Sequence, residues 1–470
     1  MDKKKLIILG AGPGGYAAGF LAADLGMNVT LIDNEKNPGG VCLYKGCIPS
    51  KALLHVAKVI SESDEAKQFG VEFTKPKINL NKMRDWKNGV VTKLTVGLGQ
   101  LSSQRKIEYI QGNVKILSNE SLEVLKSNGE KEILNFEYLI IAAGSSPSKI
   151  PNLTIDSSRI LDSTSALEIA DIPKTMLIIG GGYIGLELGT VYATLGTKVT
   201  VAEMLPGILN GADKDLVSVL SKRINKLFES ILLNTKVAEL KEVKEGIKAT
   251  FEDKDSNKTD KIFDKVLISI GRKPNSKNLG LENTNVDIDE KGFIKVDNQM
   301  RTSVKNIFAI GDIAGEPMLA HKASHEGRVA VEVISGHKTE FNPKAIPAVV
   351  FTDPEIAWCG LTEAEAKIQN RKVVIAKFPW AASGRAMTLD RTDGLTKLII
   401  DEESERILGV GIAGPGAGDL IAEGVLAIEM GANATDLKLT IHPHPTLSET
   451  IMESAEVFFG QSTHIYRPKK

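Results

Sequence analysis

One pattern occurs twice in this 470-residue chain, and the repetition leaves few folds open. The apolar run Leu6-Ile7-Ile8-Leu9 leads into Gly10-Ala11-Gly12-Pro13-Gly14-Gly15. A small-residue helical stretch follows from Tyr16 to Leu25, and a second apolar run, Val29 to Ile32, ends at Asp33. In the same way Met176-Leu177-Ile178-Ile179 leads into Gly180-Gly181-Gly182-Tyr183-Ile184-Gly185, and Val199-Thr200-Val201 ends near Glu203. Twenty-three residues separate Gly10 from Asp33, and twenty-three separate Gly180 from Glu203. Apolar runs without alternation read as parallel strands covered on both faces. Between strand and helix, G-x-G-x-x-G is a dinucleotide-binding fingerprint. Its first glycine makes the turn, the second admits a pyrophosphate, the third lets helix meet strand, and the helix N-terminus offers amides to the phosphates. Alone, such a fingerprint can mark only a tight turn.

Each copy also closes alike. Phe136 to Gly144 and Phe263 to Gly271 are apolar runs with phenylalanine and glycine eight residues apart. Each follows a polar hairpin signal, Ser127-Asn128-Gly129 in one copy and Asp255-Ser256-Asn257 in the other. The fold class is therefore α/β, with two Rossmann-like units in one chain. The first copy is longer, and its extra length falls in a cysteine stretch and a helical pattern running from Lys51 to about Gln104. That insertion should place the cysteines beside the first unit's ligand. In the second unit Glu203 would accept from an adenosine 2′-hydroxyl and repel a 2′-phosphate. No arginine or lysine follows between Met204 and Ala212, so the expected nicotinamide is NAD, with Gly180, Gly182, Gly185 and the closing Gly271 forming its site.

The inserted stretch reads Gly39-Gly40-Val41-Cys42-Leu43-Tyr44-Lys45-Gly46-Cys47-Ile48-Pro49-Ser50-Lys51. In a straight helix Cys42 and Cys47 would lie roughly 7.5 Å apart along the axis, beyond the limit of about 7 Å for a disulfide. A bridge needs a bent or loop-started helix, which the glycines and Pro49 permit, and a bridge so strained is of the labile, catalytic kind. Inert thiols and half a zinc site are the other readings. Zinc needs four ligands, and the one remaining cysteine, Cys359, stands alone. Three cysteines in all argue for a reducing compartment. Lys plus Arg total 58 against 59 Asp plus Glu, which excludes a global charge that would favour nucleic acid or acidic lipid. The uncharged run Leu6–Ala23 resembles a signal or membrane segment, but Pro13 and five glycines suit a spanning helix poorly. The expectation is a soluble, cytoplasmic protein with no membrane or nucleic-acid partner.

A third apolar strand, Asn306 to Ile310, ends at Gly311-Asp312, where the aspartate is either a helix cap or an acceptor for a cofactor hydroxyl. From about Lys344 the pattern changes to short strands (Ala348–Phe351, Val373–Phe378, Thr396–Ile400, Ile407–Ala413) and a helix, Ala417–Met430, as in a packing or dimer domain. Near its end stands Ile441-His442-Pro443-His444-Pro445-Thr446-Leu447-Ser448-Glu449. Imidazole suits a general base near neutral pH. A His-Pro repeat also reads as a rigid turn with exposed rings.

Together the cysteine stretch, the paired fingerprints, Ala309-Ile310-Gly311-Asp312 and His444-Pro445-Thr446…Glu449 resemble the pyridine-nucleotide disulfide oxidoreductases, over essentially the whole chain. The likeness is greatest to members that oxidise dihydrolipoyl groups with NAD. The resemblance implies FAD in segment 1–146, NAD in 147–272, a central segment 273–343 completing the FAD unit, and a C-terminal α+β dimerisation domain in 344–470. It implies a homodimer in which the disulfide of one subunit meets the His-Glu pair of the other, with a cis His444-Pro445 bond. The partners implied are dihydrolipoyl groups of acyltransferase or glycine-cleavage carrier proteins. Carried over by position, Cys42 is the interchange thiol and Cys47 the thiol beside the flavin. Lys51 lies against the flavin and Glu187 near the nicotinamide. His444 is the base and Glu449 its partner. Gly10, Gly12, Gly15, Asp33, Gly112, Ala143, Gly144, Asp312 and Ala320 fall at FAD positions, and no metal is implied. Glutathione-type reductases would favour NADPH, against Glu203. Mercuric reductases need a terminal cysteine pair, and Gln461–Lys470 contains none. A docking subunit with secondary diaphorase activity is the reading from outside the enzyme class.

Overall fold

The computed structural model describes residues 3–150, 153 and 155–466. The first two residues of the lysine-rich start and the last four of the Gln461–Lys470 tail lie outside them. The chain opens with β1 (Lys5–Leu9), α1 (Pro13–Asp24) and β2 (Asn28–Asp33), as the first fingerprint requires. β1 is central, parallel to β2 on one side and to β6 (Tyr138–Ile141) on the other. β3 (Glu108–Ile116) extends the sheet beyond β2, and β4 (Ser121–Lys126) and β5 (Lys131–Asn135) continue it as an antiparallel meander. Beyond β6 the far edge is the strand Ile307–Ala309, so the chain returns to its first sheet after building a second one. Alternation explains the apolar run. Leu6 and Ile8 pack with Ala18, Ala22, Ala330 and Val331 of helices on one face. Ile7 and Leu9 pack with Ile116, Leu122 and Val124 of the meander on the other.

The second unit repeats this plan. Strand Thr175–Ile179 lies between Lys198–Ala202 and Lys265–Ile268, all parallel, with Ser230–Leu232 and Ile160–Leu161 at the edges. Met176 and Ile178 face the helical side, while Leu177 and Ile179 face a meander containing Val237, Ile247 and Phe263. The two hairpin signals sit at turns with positive φ, Gly129 at 88° and Ser256 at 61°.

The helical pattern expected from Lys51 to Gln104 is two helices. α2 (Gly40–Lys45) and α3 (Cys47–Glu65) carry the cysteines, and α4 (Leu80–Gln104) follows after a break. A 3₁₀ turn after α3 closes at Gly70 with φ 80°, and Asn79 caps α4 by accepting from the Lys82 amide at 3.0 Å. Between them Pro76 lacks the amide proton a continuous helix needs.

The last unit is an antiparallel sheet in the order Ala348–Val350, Glu355–Gly360, Ile407–Gly414, Leu395–Asp401, Val373–Pro379, covered by helices Ala417–Met430 and Glu449–Phe458. The strand Glu355–Gly360 carries no clear alternation; its pairing with two neighbours creates it. Lys397, 1% exposed, holds this unit to the second by ion pairs with Asp213 (2.6 Å), Asp215 (2.9 Å) and Glu363 (2.7 Å). No helix among the described residues is long and apolar enough to cross a membrane.

Candidate active site

The cysteines are brought together by a broken helix. Gly46, at φ −146° and ψ −110°, separates α2 from α3, so Cys42 lies in the short helix and Cys47 begins the long one. A Cβ at Gly46 would stand 2.9 Å from the Val41 carbonyl oxygen, so the break admits only glycine without a shift. The stretch sits directly on the fingerprint. The Gly39 amide donates to the Ala11 carbonyl at 2.8 Å, and a Cβ on Gly40 would lie 2.5 Å from the Gly12 Cα.

Cys42 and Cys47 are both thiols here, and they share a hydrogen bond. That bond pushes the Cys42 thiol upward, aided by burial. It also stabilises the Cys47 thiolate against burial, with help from the Lys51 charge, and lowers the Cys47 pKa to about 7. The start of α3 favours the same anion. Lys51, one turn along, donates to Glu187 Oε2 at 2.8 Å, while the Phe351 amide donates to Glu187 Oε1 at 3.0 Å. The Lys51 Nζ stands 4.4 Å from the Phe351 ring centre. Three remote segments thus meet at a carboxylate that is 3% exposed.

A cavity of about 380 Å³ opens beside this pair. Of the residues singled out from the sequence, Gly10, Gly12, Asp33, Cys42, Cys47, Lys51, Ala143, Gly144, Glu187, Asp312 and Ala320 line it. The donor set fits a flavin dinucleotide. Gly12 caps α1 with no side-chain bond to the helix amides, and Cβ space at Gly12 is open up to Gly40 Cα at 3.9 Å. Gly15 instead packs on the turn, its Cβ position 1.8 Å from the Gly10 carbonyl oxygen. Asp33 accepts from the Ala11 amide at 2.6 Å and the Glu35 amide at 2.9 Å. Its burial pushes its pKa up against those two bonds. Asp312 caps no helix; it accepts from the Ser145 hydroxyl. Gly112 stands outside the cavity wall, on β3 one residue beyond Gln111, the pairing partner of Asp33.

Sequence reasoning missed the residues that hold these groups. Arg272 donates to Ser145 at 2.7 Å and 2.6 Å, and Asn275 donates to the Ala143 carbonyl at 2.9 Å and to the Gly144 carbonyl at 3.0 Å. The buried pair Lys322–Glu326, 2.7 Å apart, fixes the Asp312 turn through the Gly311 amide, 2.7 Å from Glu326. Their spacing, four apart on one helix, was the one available signal.

The second fingerprint has the same geometry. The Glu203 carboxylate accepts from Gly181 at 2.7 Å and Leu205 at 2.8 Å, as Asp33 does from Ala11 and Glu35. Gly182 is open while Gly185 lies against Gly180, and Gly271 (φ 111°) matches Gly144 (φ 67°). These residues lie outside the cysteine cavity, although Glu187 and Arg272 reach into it.

His444 Nδ1 is 2.9 Å from Glu449 Oε1, and the Thr446 amide donates to Glu449 Oε2 at 2.8 Å. Burial opposes ionisation of Glu449, but the Thr446 amide and the His444 ring outweigh it and hold the carboxyl below its usual range. The His444-Pro445 bond is cis. The His444 side chain is 74% exposed and does not line the cysteine cavity.

Residues 4–327 match the family described as pyridine nucleotide-disulphide oxidoreductase, and residues 346–455 match the dimerisation domain of that family. The chain is 49% identical to the dihydrolipoyl dehydrogenase of Vibrio parahaemolyticus, over 99% of this chain and 98% of that one. It is 45% identical to the dihydrolipoyl dehydrogenase of Geobacillus stearothermophilus, over 98% and 97%. In fold it resembles LpdA from Mycobacterium tuberculosis, with a TM-score of 0.90 at 24% identity, covering 97% of this chain and 99% of that one. It also resembles the Cu(II) complex of the HOCl-induced flavoprotein disulfide reductase RclA from Escherichia coli, with a TM-score of 0.87 at 25% identity, covering 97% and 100%. A repeated dinucleotide fold, a cysteine pair set against one of its fingerprints, and family matches over both parts of the chain lead to one conclusion: the chain belongs to the pyridine nucleotide-disulphide oxidoreductases.

Proposed function

We propose that the protein catalyses dihydrolipoamide + NAD⁺ → lipoamide + NADH + H⁺, and that Cys42, Cys47, His444 and Glu449 carry the thiol chemistry. The observation that carries this reading is the placement of the cysteine pair in the cavity wall: Cys47 begins helix α3 one turn before the Lys51 charge, which favours its thiolate over that of Cys42. In thiol–disulfide exchange the sulfur with the lower pKa leaves faster. Attack on the Cys42 sulfur of a Cys42–Cys47 disulfide therefore expels Cys47.

His444 takes the proton from one dihydrolipoyl thiol, and the resulting thiolate attacks Cys42. The Cys42–Cys47 bond breaks and Cys47 departs as thiolate. The second substrate thiol then displaces Cys42, closing the cyclic disulfide of lipoamide and leaving the dithiol protein. Glu449 holds the imidazole in orientation and stabilises its cation, as the acid of a catalytic triad does. Bound FAD supplies the two-electron acceptor for this dithiol and the hydride donor for NAD. Gly10, Gly12, Gly15, Asp33, Lys51, Ala143, Gly144, Asp312 and Ala320 would hold FAD. Gly180, Gly182, Gly185, Glu203 and Gly271 would hold NAD, with Glu187 between the two.

The proposed active site is completed by a second copy. One chain leaves His444 outside the cysteine cavity. The same unit exposes Leu426, Met430, Leu439 and Ile441, at 62% to 95%. The domain division we propose is 1–146, 147–272, 273–343 and 344–470. It is supported by the return of Ile307–Ala309 to the first sheet. The proposed partners are lipoyl-bearing carrier proteins of 2-oxo acid dehydrogenase or glycine-cleavage complexes, in the cytoplasm.

An absorbance titration of the purified protein with dithionite, then with NADH and dihydrolipoamide, tests this. The expected result is a long-wavelength charge-transfer band after two electrons, absent in Cys47→Ser, and rapid NAD reduction by dihydrolipoamide. A flavin that bleaches directly, with no such band, would remove the cysteine pair from the reaction.

A further inference from the structure

We propose that His442 is a positioning residue for the base. Held as an imidazolium between the Thr440 carbonyl and the Glu423 carboxylate, it fixes the turn that carries His444. The inference rests on the reading of His444 as base.

The His442 ring is 5% exposed, with Nδ1 2.9 Å from Thr440 O and Nε2 2.7 Å from Glu423 Oε1. A carbonyl and a carboxylate only accept, so both ring nitrogens must donate, and only the doubly protonated ring can do so. The turn needs such an anchor. Among the described residues, the backbone groups of residues 441–446 make no hydrogen bond to other backbone. Side chains hold them instead: within the turn the Thr446 hydroxyl donates to the Pro443 carbonyl at 2.8 Å, and two side chains tie its ends to the rest of the protein. Glu449 takes the Thr446 amide and the His444 ring at one end, and His442 ties the other end to helix Ala417–Met430 through Glu423. With one anchor lost, His444 keeps Glu449 but loses its fixed approach to a substrate thiol, and displacements of about 1 Å cost rate steeply.

The charged groups acting on His442 are Glu423, from helix Ala417–Met430, and Glu449, from helix Glu449–Phe458. The Glu423 hydrogen bond raises its proton affinity above that of free histidine, against burial, and the Thr440 carbonyl and both carboxylate charges add to it. A raised value means that the clamp is complete below it and is lost as pH rises through it.

The test uses the FAD-loaded protein and two assays from about pH 6 to about pH 9: NAD reduction by dihydrolipoamide, and reduction of ferricyanide by NADH, which does not need His444. His442→Gln is expected to lower kcat with dihydrolipoamide by about tenfold or more, the weight of a hydrogen bond to a charged group, while leaving ferricyanide reduction unchanged. In Glu423→Gln the amide oxygen still accepts but no longer holds the extra proton. That variant should match the parent near pH 6 and fall progressively behind it as pH rises. Unimpaired dihydrolipoamide turnover in His442→Gln overturns the proposal. Equal loss of both activities overturns it too, as does a Glu423→Gln effect independent of pH. His444→Gln separates the two levels. If it retains dihydrolipoamide turnover, the base assignment falls and this inference with it. If it is disabled while His442→Gln is not, this inference alone falls.

Discussion

Two glycines of the first fingerprint do different work, and alanine at each separates folding from cofactor binding. A Cβ on Gly15 would lie 1.8 Å from the Gly10 carbonyl oxygen and 2.9 Å from its carbon. Both are backbone atoms of the turn, so no rotamer change relieves the overlap. Helix α1 must retreat by roughly 1.5 Å to restore an ordinary carbon–oxygen contact. Overpacking of this kind costs about 1–3 kcal/mol or more, and each kcal/mol lowers Tm by about 2–4 °C in a domain of this class. Gly12 differs. Its φ is −68°, which alanine adopts freely, and its Cβ would meet only Gly40 Cα at 3.9 Å. Gly12→Ala should therefore leave the FAD-stripped protein within about 0.5 kcal/mol of the parent. Its methyl group stands where a pyrophosphate must approach, so FAD affinity should fall at least about tenfold, about 1.4 kcal/mol. Thermal unfolding of the stripped protein by circular dichroism and FAD titration by fluorescence quenching read the two effects separately. A Gly12→Ala protein that binds FAD as tightly as the parent would refute the reasoning. So would a Gly15→Ala protein that melts with the parent.

Lys397→Met leaves Asp213 without its cation, since Lys377 reaches Asp215 and Glu363 but not Asp213. Breaking such a buried pair should cost about 3–5 kcal/mol in urea unfolding, and a loss below about 1 kcal/mol would mean that the cluster contributes little. Lys51 draws the Cys47 pKa down, so the thiolate exists above about 7 and is lost as pH falls through that value. In Lys51→Met the pH midpoint of thiolate absorbance in dithiol protein should move upward; an unmoved midpoint counts against the role of Lys51. Glu203→Gln keeps an acceptor oxygen for one of the two loop amides, which use different carboxylate oxygens, and removes the negative charge. The ratio of kcat/KM for NAD over NADP should narrow, and an unchanged ratio would show that discrimination lies elsewhere.

The elements that could be read from the sequence are those whose cause is local. The apolar runs at Leu6 and Met176 declare strands because both faces must be covered, and both faces are. The fingerprint glycines declare close approach: Cβ positions at Gly10, Gly15, Gly180 and Gly185 collide with backbone, while those at Gly12 and Gly182 stay open. The expected bend between Cys42 and Cys47 follows from helix rise alone, and Gly46 supplies it. The strand Glu355–Gly360 was hidden because its partners, Ala348–Val350 and Ile407–Gly414, form it by pairing. The break at residues 70–79 is set by Gly70, Pro76 and the Asn79 cap, short local signals that the long helical pattern on either side outweighed.

By itself the sequence determined two dinucleotide units, a cysteine pair attached to the first, and a His-Glu pair five residues apart, because each is written in short spacings with a steric or chemical reason. Only the tertiary structure decided which remote charges meet. Lys51 finds Glu187, 136 residues along the chain, and Phe351 beyond it, Lys397 gathers three carboxylates from two units, and His442 pairs with Glu423 while His444 pairs with Glu449. A side chain's local spacing carries no record of such a partner. Partnership is set when burial removes water from the charge and leaves one opposite group within reach.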